Sequence, residues 1–153
     1  MASVFDESLK ELEETVMEDM RKVYSEKTIE HFLNPRNLGE IQAPDGVGKV
    51  TGPCGDTMEI YLKVNSDRIT NTTFWTDGCG PSIASGSVVT ELAKGKNIAE
   101  AQRITQHDVL DALGGLPEES LHCALLAANT LKEAVRDYLA FKREPWKKAY
   151  RTH

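Results

Sequence analysis

The chain has few cysteines, no long apolar run and no excess of positive charge. Its 153 residues include three cysteines, and so small and odd a number of thiols does not build a disulfide framework. The first residues show neither a basic stretch followed by an apolar one nor a run long enough to span a membrane. A formal net charge of −6 argues against nucleic acid as a partner, because binding to phosphates relies on Lys and Arg. These absences predict a cytoplasmic protein, in a reducing compartment, that binds neither membranes nor nucleic acids.

The composition is typical of one globular domain with additions at both ends, since 40% of the residues are hydrophobic and 27% are charged. Residues 1–22 contain seven Asp or Glu against three Lys or Arg, and apolar residues recur every three or four positions. This pattern predicts an acidic amphipathic helix whose apolar stripe packs on the body of the protein, with a partner protein as the alternative. We assign the main domain to residues 23–141. Residues 142–153 form a basic tail with five Lys or Arg against one Glu, which we expect to be solvated or loosely docked.

Within the main domain, the residue periodicity predicts an antiparallel hairpin that follows a short edge strand and precedes several helices. Residues 58–64 alternate between apolar and polar types, residues 69–76 are rich in β-branched and aromatic types, and a turn sequence separates the two. Residues 47–51 predict the edge strand. Ser25 is a candidate cap for a helix that ends at Asn34-Pro35. Later helices are predicted from Pro81, over 99–102, over 107–113 and over 120–141, the last with a buried stripe of Leu121, Leu125, Ala128, Leu131, Val135 and Tyr138.

The three cysteines lie in short polar or glycine-rich motifs and not in apolar runs. These motifs are Gly52-Pro53-Cys54-Gly55-Asp56, Gly78-Cys79-Gly80-Pro81-Ser82 and His122-Cys123. Glycines let a backbone approach a bound ion closely. Pro81 predicts that Cys79 lies at the start of a helix, and Cys123 falls in the first turn of the last helix. At both places the positive end of the helix dipole favours a thiolate.

Loops and helix starts of this kind can bring three thiolates together with the Asp56 carboxylate and the His122 imidazole. Thiolates select zinc, copper(I) or iron–sulfur clusters, and mixed ligation by sulfur, nitrogen and oxygen suits both zinc and iron. The Cys-x-x-Cys spacing of zinc fingers is absent. The residues therefore predict a metal site without naming the metal. A turn cap for Asp56 and a helix-start hydrogen bond for His122 are the alternative roles.

Several motifs, in their order and spacing, resemble those of the NifU/IscU-type iron–sulfur cluster assembly scaffolds over roughly residues 23–139. They are Tyr24-Ser25-Glu26-Lys27, Asn34-Pro35-Arg36-Asn37, Cys54-Gly55-Asp56, the run from Gly78 to Ser87, Lys94-Gly95-Lys96 and His122-Cys123. The resemblance implies an α+β fold with a three-stranded antiparallel sheet packed against several α-helices. It also implies a scaffold and carrier, not an enzyme. Such a scaffold receives sulfur from a NifS/IscS-type cysteine desulfurase, assembles a [2Fe–2S] cluster with iron and passes the cluster to apo-proteins.

By the same resemblance, Cys54, Cys79 and Cys123 are ligands of the cluster, with Asp56 or His122 as the fourth. An oxygen or nitrogen donor binds cluster iron less well than a fourth thiolate would, which suits a cluster that must be released. We expect Cys123 to accept the persulfide sulfur, since the helix start would keep its thiol partly ionised and nucleophilic. Zinc is a candidate occupant of the cluster-free site, and ferredoxin- or frataxin-like factors are candidate further partners.

The chain departs from the family pattern in the segment before His122. Common scaffolds of this type carry Leu-Pro-Pro-Val-Lys there, a docking motif for an Hsp70-type chaperone, whereas this chain has Leu116-Pro117-Glu118-Glu119-Ser120. The change weakens the expectation of a chaperone partner. A second hypothesis is a zinc-bound SufU-type sulfurtransferase, which is disfavoured because the insertion of that branch, between the second and third cysteines, is absent. A Cys–His hydrolase is also disfavoured, because adjacent residues on a helix point about 100° apart.

Overall fold

Three antiparallel strands and six α-helices make up the computed structural model, which describes residues 4–146. The strands β1 (Gly46–Thr51), β2 (Thr57–Asn65) and β3 (Arg68–Thr76) lie side by side in that order. The helices α1 (Val4–Val23) and α2 (Glu26–Leu33) precede the sheet. After it come a single 3-10 turn (Glu118–Ser120) and four helices: α3 (Gly80–Ala93), α4 (Ile98–Gln102), α5 (Gln106–Leu113) and α6 (Leu121–Arg143). The predicted α+β fold with a three-stranded antiparallel sheet is confirmed.

The β2–β3 hairpin forms where the alternation of residue types predicted it. Met58, Ile60 and Leu62 of β2 point to one face of the sheet and are fully buried. The tight turn between the two strands contains Asp67, whose carboxylate accepts a hydrogen bond of 2.6 Å from the Tyr138 hydroxyl of α6. The far end of α6 is therefore tied to the tip of the hairpin.

Both α3 and α6 pack on the buried face of the sheet, and two glycines let them come close. A Cβ atom on Gly48 of β1 would lie 2.3 Å from the Thr130 carbonyl oxygen in α6, and one on Gly86 of α3 would lie 2.4 Å from the Phe74 ring. Side chains do not fit at such distances, so glycine is required for the two helices to reach the sheet. This packing brings the first turns of α3 and α6 together beside the loop that joins β1 to β2.

The buried stripe of α6 differs from the prediction near its start. Leu125 is 43% exposed, so its assignment to the stripe was wrong. Ala124 and Ala127 are buried instead, and Leu131 and Val135 are buried as predicted. The physical reason is the direction of the side chain, since position 125 points about 100° away from the buried Ala124 around the helix axis.

The apolar stripe of α1 does not pack on the body of the protein. None of the residues of α1 is buried, and Leu9, Leu12 and Val16 are exposed. The expectation that this stripe docks on the body was wrong, because α3 and α6 already fill the buried face of the sheet. Within residues 4–146, no helix combines the length and the apolar character needed to cross a membrane. Residues 147–153 of the basic tail lie outside the described residues.

Candidate metal centre

Cys54 lies at the tip of the loop Gly52–Asp56, which joins β1 to β2. The loop is closed by two backbone hydrogen bonds, from the Gly52 amide to the Asp56 carbonyl oxygen at 2.7 Å and from the Gly55 amide to the Gly52 carbonyl oxygen at 3.0 Å. Gly55 has a φ of 85°, a conformation that strongly favours glycine. The turn leaves the Cys54 side chain exposed and places Asp56, which is half-buried, at the base of the loop.

Cys79 is the N-cap residue of α3, which confirms its predicted place at a helix start. Its backbone is extended, and its carbonyl oxygen accepts the first hydrogen bond of the helix, from the Ile83 amide at 3.0 Å. The thiol makes no capping bond to the helix backbone and is solvent-exposed. Pro81 lies in the first turn and has no backbone N–H group, so this helix end has one unpaired hydrogen-bond donor fewer. The Cys79 sulfur is thus not used to cap its own helix.

His122 and Cys123 lie in the first turn of α6, as predicted, but Cys123 is buried. The Cys123 side chain is 1% exposed, and the His122 Nε2 lies 3.6 Å from the Cys123 sulfur. The expectation that these neighbours diverge on the helix was therefore too strict, since the imidazole is long enough to fold back toward the thiol. The contact places the imidazole within hydrogen-bonding distance of the Cys123 thiol.

The hydroxyl of Ser82 joins the residues of the site. It donates to the Cys123 sulfur at 3.3 Å, lies 3.4 Å from the Asp56 Oδ2 and lies 4.0 Å from the Cys79 sulfur. Asp56, Cys79 and Cys123 therefore converge around one buried side chain in the first turn of α3. The sequence interpretation gave Ser82 no role. A usable signal was its position three residues after Cys79, which places both side chains on the same face of one helical turn.

Burial, and not the helix end, controls the ionisation of Cys123. Loss of hydration raises the pKa of its thiol to about 11, with further upward contributions from Cys79 and Asp56, while the hydrogen bond from Ser82 lowers it. The prediction of a partly ionised Cys123 was wrong for this arrangement of the site. The helix dipole favours a thiolate by a modest amount, and the loss of hydration outweighs it here.

The thiols do not yet form a complete binding site. Among residues 4–146, no three or more His, Cys, Asp and Glu side chains are grouped closely enough to hold a metal ion as they stand. Cys54, at the exposed tip of its loop, makes no hydrogen bond to Asp56, Cys79 or Cys123 in this part of the chain. A metal bound by all three sulfurs therefore requires the side chains of the site to rearrange.

A groove of about 310 Å³ opens beside Cys79. Its walls come from the end of α1, from α2 and from the start of α3, and include Met20, Tyr24, Phe32 and Pro81. The ring of Phe32 lies against Gly80, where a Cβ atom would be 3.3 Å away. The groove gives an approach to Cys79 along a mainly apolar surface.

The segment that contains the candidate ligands matches a known family. Residues 23–144 match the family described as the NifU-like N terminal domain. The chain belongs to this family. A curated relative, the "Iron-sulfur cluster assembly scaffold protein IscU 1" of Archaeoglobus fulgidus, is 52% identical over 117 residues, which cover 76% of each chain. The IscU scaffold protein of Escherichia coli K12 is 46% identical over 126 residues, which cover 79% of this chain and 97% of that protein.

Solved structures of the NifU-like family share the fold. A NifU-like N-terminal protein from Brucella abortus superposes with a TM-score of 0.61 at 22% identity, covering 77% of this chain and 95% of that one. A protein from Fervidobacterium islandicum, described as a putative scaffold for the SUF system, gives a TM-score of 0.60 at 24% identity, covering 73% and 96% of the two chains. The domain described above is thus the NifU-like N-terminal fold.

Proposed function

We propose that this chain is a scaffold on which iron–sulfur clusters are assembled, and that its cargo is a transient [2Fe–2S] cluster held between the loop Gly52–Asp56 and the starts of α3 and α6. The protein is a carrier and not an enzyme. One observation carries the proposal. Asp56, Cys79 and Cys123 converge on one buried hydroxyl in a chain whose curated relatives are named iron–sulfur cluster assembly scaffold proteins.

The ligand set that we propose is Cys54, Cys79 and Cys123 with Asp56 or His122 as the fourth ligand. Cys79 and Cys123 already lie near one another, and Cys54 joins them when its loop closes. Thiolates are the usual protein ligands of iron–sulfur clusters. Asp56 supports the proposal by its place at the base of the same loop, and His122 by its 3.6 Å contact with Cys123. A single oxygen or nitrogen ligand leaves the cluster easier to release than four thiolates would.

Sulfur transfer to Cys123 follows ordinary thiol–persulfide exchange. The Cys123 thiol gives its proton to His122, and the resulting thiolate attacks the outer sulfur of a desulfurase persulfide. A new S–S bond forms on Cys123, the donor's S–S bond breaks, and the donor cysteine leaves as a thiolate. Because Cys123 is buried, the segments around it must move before the donor can reach it.

The partners that we propose are a cysteine desulfurase, which supplies the sulfur, and apo-proteins, which receive the cluster. The groove beside Cys79 supports a docking site for such proteins. Ferredoxin- or frataxin-like factors are further partners in this proposal. Zinc is the proposed occupant of the cluster-free site. The proposed location is a reducing cytoplasm, in which the three thiols stay reduced. The exposed Glu118 and Glu119 give no support to a chaperone contact through this segment.

Anaerobic reconstitution tests the proposal directly. Metal-free protein incubated with ferrous iron, cysteine and a cysteine desulfurase should turn red-brown and contain roughly two iron and two acid-labile sulfide per cluster. A zinc-bound sulfurtransferase would instead keep stoichiometric zinc and acquire no sulfide, and that result would rule out the scaffold. The same incubation without iron, followed by mass spectrometry, should find the persulfide chiefly on Cys123, and its retention in a Cys123→Ser variant would reject that assignment alone.

A further inference from the structure

We propose that Ser82 is a positioning residue of the cluster-free site, whose hydroxyl holds Asp56, Cys79 and Cys123 ready for the metal. The proposal rests on the proposed function and assigns a role to a residue outside the ligand set. Ser82 itself is not a ligand in this account. It acts through the three side chains around it.

The geometry places the Ser82 hydroxyl at the centre of the site. Its oxygen lies 3.3 Å from the Cys123 sulfur, 3.4 Å from the Asp56 Oδ2 and 4.0 Å from the Cys79 sulfur. The side chain is fully buried. It therefore contacts one ligand from the loop and one from each of the two helix starts.

A hydroxyl has one proton to donate, so the distances decide its main acceptor. The 3.3 Å contact with Cys123 is ordinary for a bond to sulfur, whereas the 3.4 Å contact with Asp56 is longer than the usual O–H···O distance of about 2.7–2.8 Å. Cys123 is therefore the principal acceptor. This bond joins the start of α3 to the sulfur of α6 and limits where that sulfur can lie. Removal of the hydroxyl would take that restraint away.

The hydroxyl of Ser82 differs from those of Ser85 and Thr90 on α3 in what it contacts, while the Ser87 hydroxyl contacts the His31 ring and the Arg36 amide, away from the cysteines. Ser85 donates to the Pro81 carbonyl oxygen at 2.7 Å, and Thr90 donates to the Gly86 carbonyl oxygen at 2.9 Å. Both of these side chains bond back to their own helix, as buried Ser and Thr commonly do. Ser82 instead points across to another helix and to the loop. Its hydroxyl is therefore directed at the site and not at its own backbone.

Gly78 encloses the same arrangement from the other side. A Cβ atom at this position would lie 2.6 Å from the Ser82 hydroxyl oxygen and 3.0 Å from the Asp56 Oδ2. The backbone at Gly78 thus packs directly over the Ser82–Asp56 pair. Any side chain at this position would have to displace the Ser82 hydroxyl and the Asp56 carboxylate. A substitution of Gly78 therefore disturbs Ser82 while leaving its hydroxyl in the protein.

Cobalt(II) binding to the metal-free, reduced protein tests the proposal, because it needs no cluster and no partner. Cobalt(II) bound to thiolates gives a charge-transfer absorption that reports both affinity and the number of sulfur ligands. Ser82→Ala should weaken cobalt binding roughly three- to tenfold, the range expected for the loss of one ordinary hydrogen bond. The spectrum at saturation should not change, since all ligands remain. Ser85→Ala, a buried serine on the same helix, should stay within about twofold of the wild type.

The outcomes separate a positioning role from the other roles. A changed spectrum at saturation in Ser82→Ala would make Ser82 a ligand, and equal loss of affinity in Ser85→Ala would make it a structural residue of α3. Either result overturns the proposal, as does unchanged affinity in Ser82→Ala or absence of cobalt binding to the wild type. If Ser82→Ala does not fold, Gly78→Ala serves in its place, with weaker binding and an unchanged spectrum expected. Failure of wild-type reconstitution would reject the scaffold function while leaving this test intact.

Discussion

The two halves of the candidate site are built in different ways. Cys79, Ser82 and Cys123 lie at the starts of α3 and α6, two helices that are packed on the sheet. Cys54 lies at the tip of a loop that is closed by two backbone hydrogen bonds, and the Cys54 side chain is exposed. One half is held by the core, and the other can move without disturbing it. A scaffold that has to hold a cluster and then release it needs both properties.

The physical origin of the difference is the amount of packing behind each half. The helix half rests on contacts that tolerate no extra atoms, such as those of Gly48 and Gly86 with the elements facing them. Around Gly55, by contrast, a Cβ atom would meet nothing within 4 Å. Local opening of the loop therefore exposes little apolar surface, whereas displacement of either helix start would disrupt the core.

The largest expected effect is a difference in thiol reactivity between the two halves. Iodoacetamide should modify Cys54 at least roughly 100-fold faster than Cys123 in the metal-free protein at pH 8. Burial raises the pKa of Cys123 to about 11, which leaves roughly one-hundredth of the thiolate of an unperturbed cysteine. Peptide mass spectrometry over a time course measures both rates, and urea-unfolded protein, in which the sites should react alike, is the control. Equal rates in the folded protein would mean that the halves are equally open.

Replacing one glycine in each half should show the same contrast, because the two variants should lose different amounts of unfolding free energy. Gly86→Ala places an atom 2.4 Å from the Phe74 ring, and we expect overpacking to cost about 2–3 kcal/mol. Gly55→Ala meets no atom but places alanine at a φ of 85°, which we expect to cost about 1 kcal/mol. Urea unfolding followed by circular dichroism measures both. A larger loss for Gly55→Ala would show that the loop, and not α3, is the more constrained part.

Asp56 joins the two halves, and its removal should make the cluster leave more slowly. Asp56→Ala takes away either an oxygen ligand or a carboxylate that competes for iron, so transfer to an apo-ferredoxin should slow roughly three- to tenfold. Asp77→Ala is the matched control, since this nearby carboxylate accepts the Thr57 amide hydrogen bond at 2.8 Å and contacts no cysteine in the described contacts. Faster loss from Asp56→Ala than from the control would show that Asp56 retains the cluster.

A further expected effect is a pH dependence of stability that comes from Cys123. The pKa of this thiol is raised from 9.0 to about 11 in the folded protein, so the folded state binds the proton more tightly than the unfolded chain. The resulting stability is complete below about pH 9 and is lost as the pH rises toward 11. Urea unfolding at several alkaline pH values should show a shallower decline for Cys123→Ala than for the wild type. Parallel declines would mean that the thiol does not titrate as described.

The sequence was sufficient for features that local rules determine, and insufficient for those that depend on packing between distant elements. Alternation predicted the β2–β3 hairpin, Pro81 predicted the start of α3, and the position of Cys123 in the first turn of α6 followed from periodicity. The burial of Cys123 did not follow, because it depends on how α6 meets α3 and the loop. The contact of Ser82 with Cys123 joins residues 41 positions apart, and no local pattern contains it.

The same reasoning explains the error about α1. The sequence shows the apolar stripe of α1, but it does not show which surface of the protein is left uncovered for the stripe to pack on. The core side of the sheet is covered by α3 and α6, and the stripe of α1 is left exposed. An amphipathic pattern predicts a helix and an apolar face, and only the assembled fold tells which surface is free to cover it.

The iron and sulfide content of three variants, Cys54→Ser, Cys79→Ser and Cys123→Ser, tests the central claim most directly. In the proposed scaffold, the loop closes and all three thiolates bind one cluster. After anaerobic reconstitution and gel filtration, each variant should therefore retain less than about one-tenth of the wild-type cluster, the loss expected when one strong ligand is removed. This includes Cys54→Ser, although Cys54 lies at the exposed tip of its loop. Circular dichroism in the far ultraviolet should confirm that the three variants are folded. Wild-type amounts of iron and sulfide in Cys54→Ser would contradict the account, because the cluster would then be held by the helix half alone.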